Sequence, residues 1–262
     1  MMSLHRRYQT LLKSFLVFLI PLSGYSQIIP AGLGKIDAGS WFALGWQEDI
    51  GQNQWSSTTY FGVGRRNEEG SMDPFQNHAL LVLNQEFKNR FHNRWEYSLA
   101  GGYRKQNLSG INNQHPDKRN DYKQEFRMYG RLSYLYRTGN LHITPTLRQE
   151  LIKYYDSGFK DYSESIRLRS RFRIKFYYPL DSKAQHGIAA YSEQLFSVSQ
   201  SGISNEWGNF RYSDSRFSLY YSWSPSELPF AINAGYMCNV IGKRGDHTAH
   251  YLGVDLLLKN IF

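Results

Sequence analysis

Between Ile166 and Tyr178 the chain alternates almost without a break. Ile166, Leu168, Phe172, Ile174 and Phe176 share one parity, with Ser170 as the exception, while Arg167, Arg169, Arg171, Arg173 and Lys175 share the other. In a helix, with a period of about 3.6, these charges would scatter around the axis; in a strand they form one cationic ladder backed by one apolar row. Such a strand is satisfied only where one face meets apolar material and the other meets water or counter-charge.

The same pattern recurs over segments of roughly 9 to 13 residues, the length a tilted strand needs to cross a bilayer. Phe126, Met128, Leu132 and Tyr134 alternate with Glu125, Arg127, Arg131 and Ser133. Leu141, Ile143, Leu147 and Leu151 alternate with His142, Thr144, Arg148 and Glu150. Trp95, Tyr97, Leu99 and Tyr103 oppose Glu96, Ser98, Ala100 and Arg104, and Phe217, Leu219, Tyr221 and Trp223 oppose Arg216 and Ser218. Phe230, Ile232, Ala234, Tyr236 and Val240 form another apolar row. Three earlier strands, Trp41–Glu48, Trp55–Arg65 and Ala79–Lys88, alternate less cleanly.

Short turns at Lys88–Arg94, Arg137–Asn140, Pro179–His186 and Ser224–Leu228 are interleaved with longer polar loops at Arg66–Asn77, Lys105–Asp121, Tyr155–Ser163 and Ser199–Ser213. Aromatic residues stand near strand ends, among them Trp95, Tyr103, Tyr177, Tyr178 and Trp223. Loops sorted by length between two ends, with aromatic girdles, are the layout of outer-membrane barrels; a soluble β-sandwich would alternate too, but would not sort its loops this way. The fold class expected is therefore all-β, a transmembrane antiparallel up-and-down β-barrel. Single-chain bacterial barrels use even strand numbers. The clear strands number eleven, so about 12 are expected, with Ile28–Asp37 supplying the twelfth, or 10 if two early strands are one irregular unit.

The first residues are excluded from the fold. His5, Arg6, Arg7 and Lys13 precede a short apolar run, Ser14–Leu22, and Gly24-Tyr25-Ser26 places small residues for cleavage near Ser26/Gln27. The organisation expected is a signal peptide over 1–26 and one barrel over 27–262, in the outer membrane of a Gram-negative bacterium. At the other end Leu252, Val254, Leu256 and Leu258 share the parity of Phe262, a terminal aromatic of the sort that barrel-insertion machinery reads. With 22 Gly, 20 Tyr and 16 Phe against 8 Pro, the composition is one of strands and turns. Mean hydropathy is −0.56, which excludes an ordinary helical membrane protein but not a barrel, whose lipid contacts fall on alternate residues. Without Arg6, Arg7 and Lys13 the mature chain has 28 basic and 22 acidic residues, a net charge of +6 that is not gathered in one block, and nucleic acid is not expected as a partner. The single Cys238 excludes an intramolecular disulfide.

The stretches EFRMYGRLSY (125–134), LRQEL (147–151), RLRSRFRIKFYYPL (167–180), AAYSEQLF (189–196), SRFSLYYSW (215–223) and INAGY (232–236) resemble, in their order, an uncharacterised family of exported β-barrels of Bacteroidota-type bacteria, the domain-of-unknown-function family numbered twenty-four ninety. The resemblance is best from Lys123 to Tyr236 and loose in the N-terminal third. It implies an outer-membrane location and carries no established activity.

Parity turns Arg167, Arg169, Arg171, Arg173 and Lys175 into the lumen, because an arginine facing lipid at midplane costs about 2–4 kcal/mol. Five cations on one strand repel unless counter-charge is near. Glu125, Glu150 and Glu193 are the candidates, with Arg127, Arg131, Arg148 and Arg216 on the same inward parity. Glu125/Arg127 and Arg148/Glu150 each project both signs to one face. Two consequences are open: a salt-bridged lumen that fills a structural or partner-binding barrel, or a lumen that passes small anionic solutes. An outer-membrane hydrolase or acyltransferase is a third class. His142, His186, His247 and His250 are available, and Asp246-His247-Thr248-Ala249-His250 hints at metal ligation, but no third ligand is placed and no nucleophile elbow or phosphate loop occurs. The expectation is no enzyme, no catalytic residue, no cofactor and no metal, with outer-membrane lipid and the insertion machinery as partners.

Overall fold

A computed structural model describes residues 33, 36–51, 54–108, 122–242, 245 and 247–261. The signal peptide with its cleavage site, most of 28–37, most of the 105–121 loop, Asp246 and Phe262 lie outside the described residues.

The described residues form β-strands and no helix. They are β1 (Ala38–Ile50), β2 (Trp55–Arg66), β3 (Asn77–His92), β4 (Trp95–Asn107), β5 (Tyr122–Tyr134), β6 (Tyr136–Thr138), β7 (Leu141–Tyr155), β8 (Asp161–Pro179), β9 (His186–Ser201), β10 (Arg211–Trp223), β11 (Phe230–Ile241) and β12 (His247–Lys259). The expected all-β barrel of about twelve strands is present. Eleven strands make the closed wall, and β6, three residues long, pairs with β7 alone, outside the ring. Neighbouring wall strands run antiparallel with one exception. β1 and β12 pair in parallel, from Ala38 opposite His250 to Gln47 opposite Lys259. The wall is thus odd in number and not antiparallel throughout. Closure requires only that the last edge find the first, and the row of backbone donors and acceptors on β12 can be satisfied by a strand of either direction. Of Leu33, Ile36 and Asp37, the described residues of the segment offered as a twelfth strand, none lies in a strand.

Parity decides which side of the wall each residue takes. Exposed apolar residues of one parity occur all round the outside: Phe42 and Leu44 on β1, Phe61 on β2, Leu83 on β3, Leu99 on β4, Met128 on β5, Leu151 on β7, Leu168 and Phe172 on β8, Ile188 on β9, Leu219 on β10, Tyr236 on β11, and Leu252 and Val254 on β12. The polar exceptions on this outer face bond to one another across strands. Ser170, the break in the β8 row, donates to Gln149 Oε1 at 2.8 Å, Gln85 donates to Ser57 Oγ at 2.6 Å, and Ser215 donates to Gln194 Oε1 at 2.5 Å. The longer connections 67–76 and 202–210 lie at the mouth opposite 93–94, 180–185 and 224–229. The connection expected as a long loop over Tyr155–Ser163 is only 156–160, shorter than 180–185, because β8 begins already at Asp161. Gly139, with φ of 57°, opens the two-residue turn that returns β6 into β7, a position where only glycine has no steric cost.

The inward parity is not uniformly polar. Across β1–β3 and β11–β12 it carries Trp41, Ala43, Leu80, Met237, Ala249 and Tyr251, against which Leu33 and Ile36 pack from the segment preceding β1. Leu33 donates its backbone N–H to Tyr251 Oη at 3.2 Å, and its carbonyl accepts from Gln106 Nε2 at 3.2 Å. Tyr220 on β10 lies over two glycines of the next strands, Gly235 and Gly253, where an added Cβ would collide with its ring. Tyr177, expected in an interfacial girdle, turns inward and covers Gly187 in the same way; it shares the parity of the arginine ladder.

Candidate functional site

Most of the charged side chains occupy the other flank of the interior, from β3 to β10, with Asp255 on β12 and Arg66 on β2 buried outside it. Along β8 the five cations of the ladder all stand on the inward parity, with Arg171 only 4% exposed while Leu168 and Phe172 beside it are over 40% exposed outside. The neighbouring strands bring the acids. Glu150 is the hub: its side chain is wholly buried, with Arg148 Nε at 2.6 Å, Arg171 Nε at 2.7 Å, and Arg127 Nη1 and Arg169 Nη1 each at 3.6 Å. Glu125 pairs with Arg127 on its own strand and with Arg104 at 3.9 Å. Glu193 spans Arg171 at 3.6 Å and Arg216 at 3.9 Å, and Arg216 also holds Asp214 at 2.9 Å.

The geometry follows from register. Arg131 on β5 faces Arg148 on β7, which faces Arg171 on β8, so three guanidiniums stand on one rung of the wall. Like charges about 5–6 Å apart repel by about 3 kcal/mol at an effective dielectric near 20, and like pairs directly opposite destabilise a sheet. Glu150, one inward position beyond Arg148, and Glu86, which approaches Arg131 at 3.2 Å, interleave negative charge into that rung. Glu86 also accepts from Ser98 Oγ at 2.5 Å. Toward the long-loop mouth, Arg167 forms a two-point contact with Glu164 at 2.6 and 2.7 Å, and Lys123 reaches the same carboxylate at 3.6 Å. Aromatic rings supply further contacts: Arg148 lies 3.5 Å over the Tyr129 ring and Arg173 lies 5.6 Å from the Tyr191 ring.

Twelve residues named from the sequence therefore meet in one interior: Arg167, Arg169, Arg171, Arg173 and Lys175 of the ladder, with Glu125, Arg127, Arg131, Arg148, Glu150, Glu193 and Arg216. Five participants were not among them: Glu86, Arg104, Lys123, Glu164 and Asp214. Arg104 was visible as an inward residue of its strand, and Asn84, Glu86 and Lys88 share a parity that could have marked Glu86.

A cavity of about 60 Å³ opens within this lattice, walled by six arginines, among them Arg131, Arg148 and Arg173, together with Glu125 and Glu193. The histidines lie elsewhere. His247 donates from Nε2 to the Ile36 carbonyl at 2.7 Å, whereas His250 Nδ1 lies 2.5 Å from Tyr236 Oη; three positions apart on a strand, the two point to opposite faces and cannot share a metal. His186 Nδ1 lies 2.5 Å from Tyr221 Oη near the short-turn mouth, and the His142 ring packs near Tyr177. Among the described residues no group of three His, Cys, Asp or Glu side chains is placed to hold a metal.

Fold and interior together define a closed β-barrel with an apolar outer face and a largely ion-paired interior. The chain matches no family model and no curated protein.

Proposed function

We propose that the chain is an integral outer-membrane β-barrel of a Gram-negative bacterium, held shut by its interior ion pairs and serving as a structural or partner-presenting barrel. The observation that supports this is the ring of exposed apolar side chains on the outer face, Leu, Phe, Ile, Val or Met on ten of the eleven wall strands and Tyr236 on β11. Soluble proteins rarely leave contiguous apolar patches beyond a few hundred Å² in water, whereas a closed sheet, with every backbone group paired, is one of two structures hydrocarbon tolerates. Export by a signal peptide and delivery by barrel-insertion machinery fit the two ends of the sequence. Kinship with the exported-barrel family numbered twenty-four ninety, argued from the ordered strand motifs, fits the same location.

The interior favours closure over passage. Glu150 is entirely shielded, and the four arginines around it are between 5% and 14% exposed. The test is membrane fractionation followed by planar-bilayer recording of the purified protein. A closed barrel fractionates with the outer membrane and conducts nothing steady. The second assignment, anion-preferring passage, draws on the arginine-walled cavity; steady anion-selective steps, weakened by Arg169→Glu with Arg173→Glu, would replace closure. Turnover of a lipid or peptide in detergent, abolished by substituting one Ser or His, would replace both with an enzyme.

A further inference from the structure

We propose that the arginine-walled cavity is a binding site for one small oxyanion of the inorganic phosphate type. The site deepens the closed-barrel assignment, on which it rests for a cavity sealed from bulk ions.

Its walls come from the rung on which Arg131, Arg148 and Arg171 stand side by side across β5, β7 and β8, and from Arg173, the next inward residue of β8. Six arginines line the cavity against two carboxylates, Glu125 and Glu193. Both carboxylates pair with arginines of the same wall, Glu125 with Arg127 and Arg104 and Glu193 with Arg171, and Glu193 also reaches Arg216; neither comes within 4.0 Å of Arg173. Among the described residues no carboxylate lies within 4.0 Å of Arg173; Glu193 and Glu86 act on it from farther off, its Nε has no hydrogen-bond partner, and its guanidinium lies 5.6 Å from the Tyr191 ring. A half-buried cation without a close anion is costly, and a cavity whose other five arginines each hold a carboxylate within 4.0 Å while this one does not has room for a ligand of opposite charge.

Size and donor geometry choose the ligand. At about 10–15 Å³ for each water, a volume of about 60 Å³ takes about four waters or one tetrahedral oxyanion in their place. That is too little for a lipid headgroup with its chains attached. Guanidinium forks match two oxygens of one oxyanion, a geometry chloride lacks, so phosphate and sulfate bind in preference to halide.

The purified, detergent-solubilised protein is titrated with inorganic phosphate at constant ionic strength, by calorimetry and by the thermal unfolding midpoint. The expected result is a saturable isotherm with one site per chain, no saturation with chloride, and at least tenfold weaker binding in Arg173→Gln. Arg173→Lys, which keeps the charge and loses the fork, binds with intermediate affinity. Heat-modifiable gel migration and the β-sheet circular dichroism show that each variant is folded. Absence of saturable phosphate binding by the folded wild type overturns the site, as does an unchanged affinity in folded Arg173→Gln or, should that variant not fold, in Arg173→Lys. Bilayer recording separates the two assignments. A silent barrel without a phosphate isotherm defeats the site alone, and a conducting barrel that still saturates with phosphate defeats closure alone.

Discussion

Arg173 and Glu193 face each other across β8 and β9, yet they form no ion pair; the carboxylate bridges Arg171 and Arg216 instead. The facing position is taken by a cation while its natural counter-charge is spent one rung away. Two charged groups of the same lattice, Arg173 on β8 and Glu150 on β7, therefore respond in opposite directions to loss of charge. In phosphate-free buffer Arg173→Met, which removes a half-buried cation with no carboxylate within 4.0 Å, raises stability by about 1–3 kcal/mol. Glu150→Gln, which strips the shared carboxylate from four arginines, lowers it by about 3–5 kcal/mol. Urea-driven unfolding from lipid vesicles measures both, and equal effects of one sign would contradict the lattice as drawn.

Leu168 lies on the outer face of β8 between inward Arg167 and Arg169, and is 42% exposed. On a water-facing surface Leu168→Arg would change stability by no more than about 0.5 kcal/mol. In a bilayer near midplane the same substitution costs about 2–4 kcal/mol. Folding the variant into vesicles distinguishes the two, because only lipid makes an outward arginine expensive.

Tyr220 lies where Gly253 has no side chain; an added Cβ would sit 2.6 Å from its hydroxyl and 3.2 Å from the ring. Gly253→Ala forces the ring aside and costs about 1–3 kcal/mol, the usual price of overpacking. In a Tyr220→Ala background the same change costs less than 1 kcal/mol. A double-mutant cycle reads the coupling, and additive effects would rule out the ring-over-glycine contact.

Asp181 sits in the turn between β8 and β9, outside the wall, and accepts the backbone N–H of His186 at 2.8 Å. That backbone donor holds its carboxyl below the usual aspartate range. The folded-state value is the depressed one, so the turn's contribution is complete above the unfolded-state value and is lost as pH falls through the folded one. Asp181→Asn removes this titration. The stability curves of wild type and variant are therefore expected to differ at neutral pH and to converge in acid, and parallel curves would exclude the contact.

Alternation carried most of this architecture into the sequence. On β8, β5 and β7 the rule of two assigns inside and outside residue by residue, and the charged rows of those strands do meet. Bulges mark where it falters. A register shift between Gly64 and Arg65 leaves Ala79 and Leu80 both buried on β3, blurring the parity that would have marked Glu86. Another between Tyr212 and Asp214 hides Asp214 at the edge of what read as a loop. The apolar flank was unreadable for a different reason. Small residues on the inward parity of β1, β2 and β12, such as Gly45, Gly62 and Gly253, show their purpose only once Tyr60, Trp41 and Tyr220 are seen lying over them. Nor does any strand's own pattern state the direction of its partner, so the parallel pairing of β1 with β12 had no sequence signature.

That pairing fixes where the polypeptide enters and leaves. With β1 and β12 running the same way, the backbone comes into the wall beside Leu33 and departs past Lys259 at the opposite rim. The first residue of β1 and the last of β12 therefore stand at opposite rims, and a linker joining Ala38 to Lys259 in a circular permutant must be as long as the cylinder is tall.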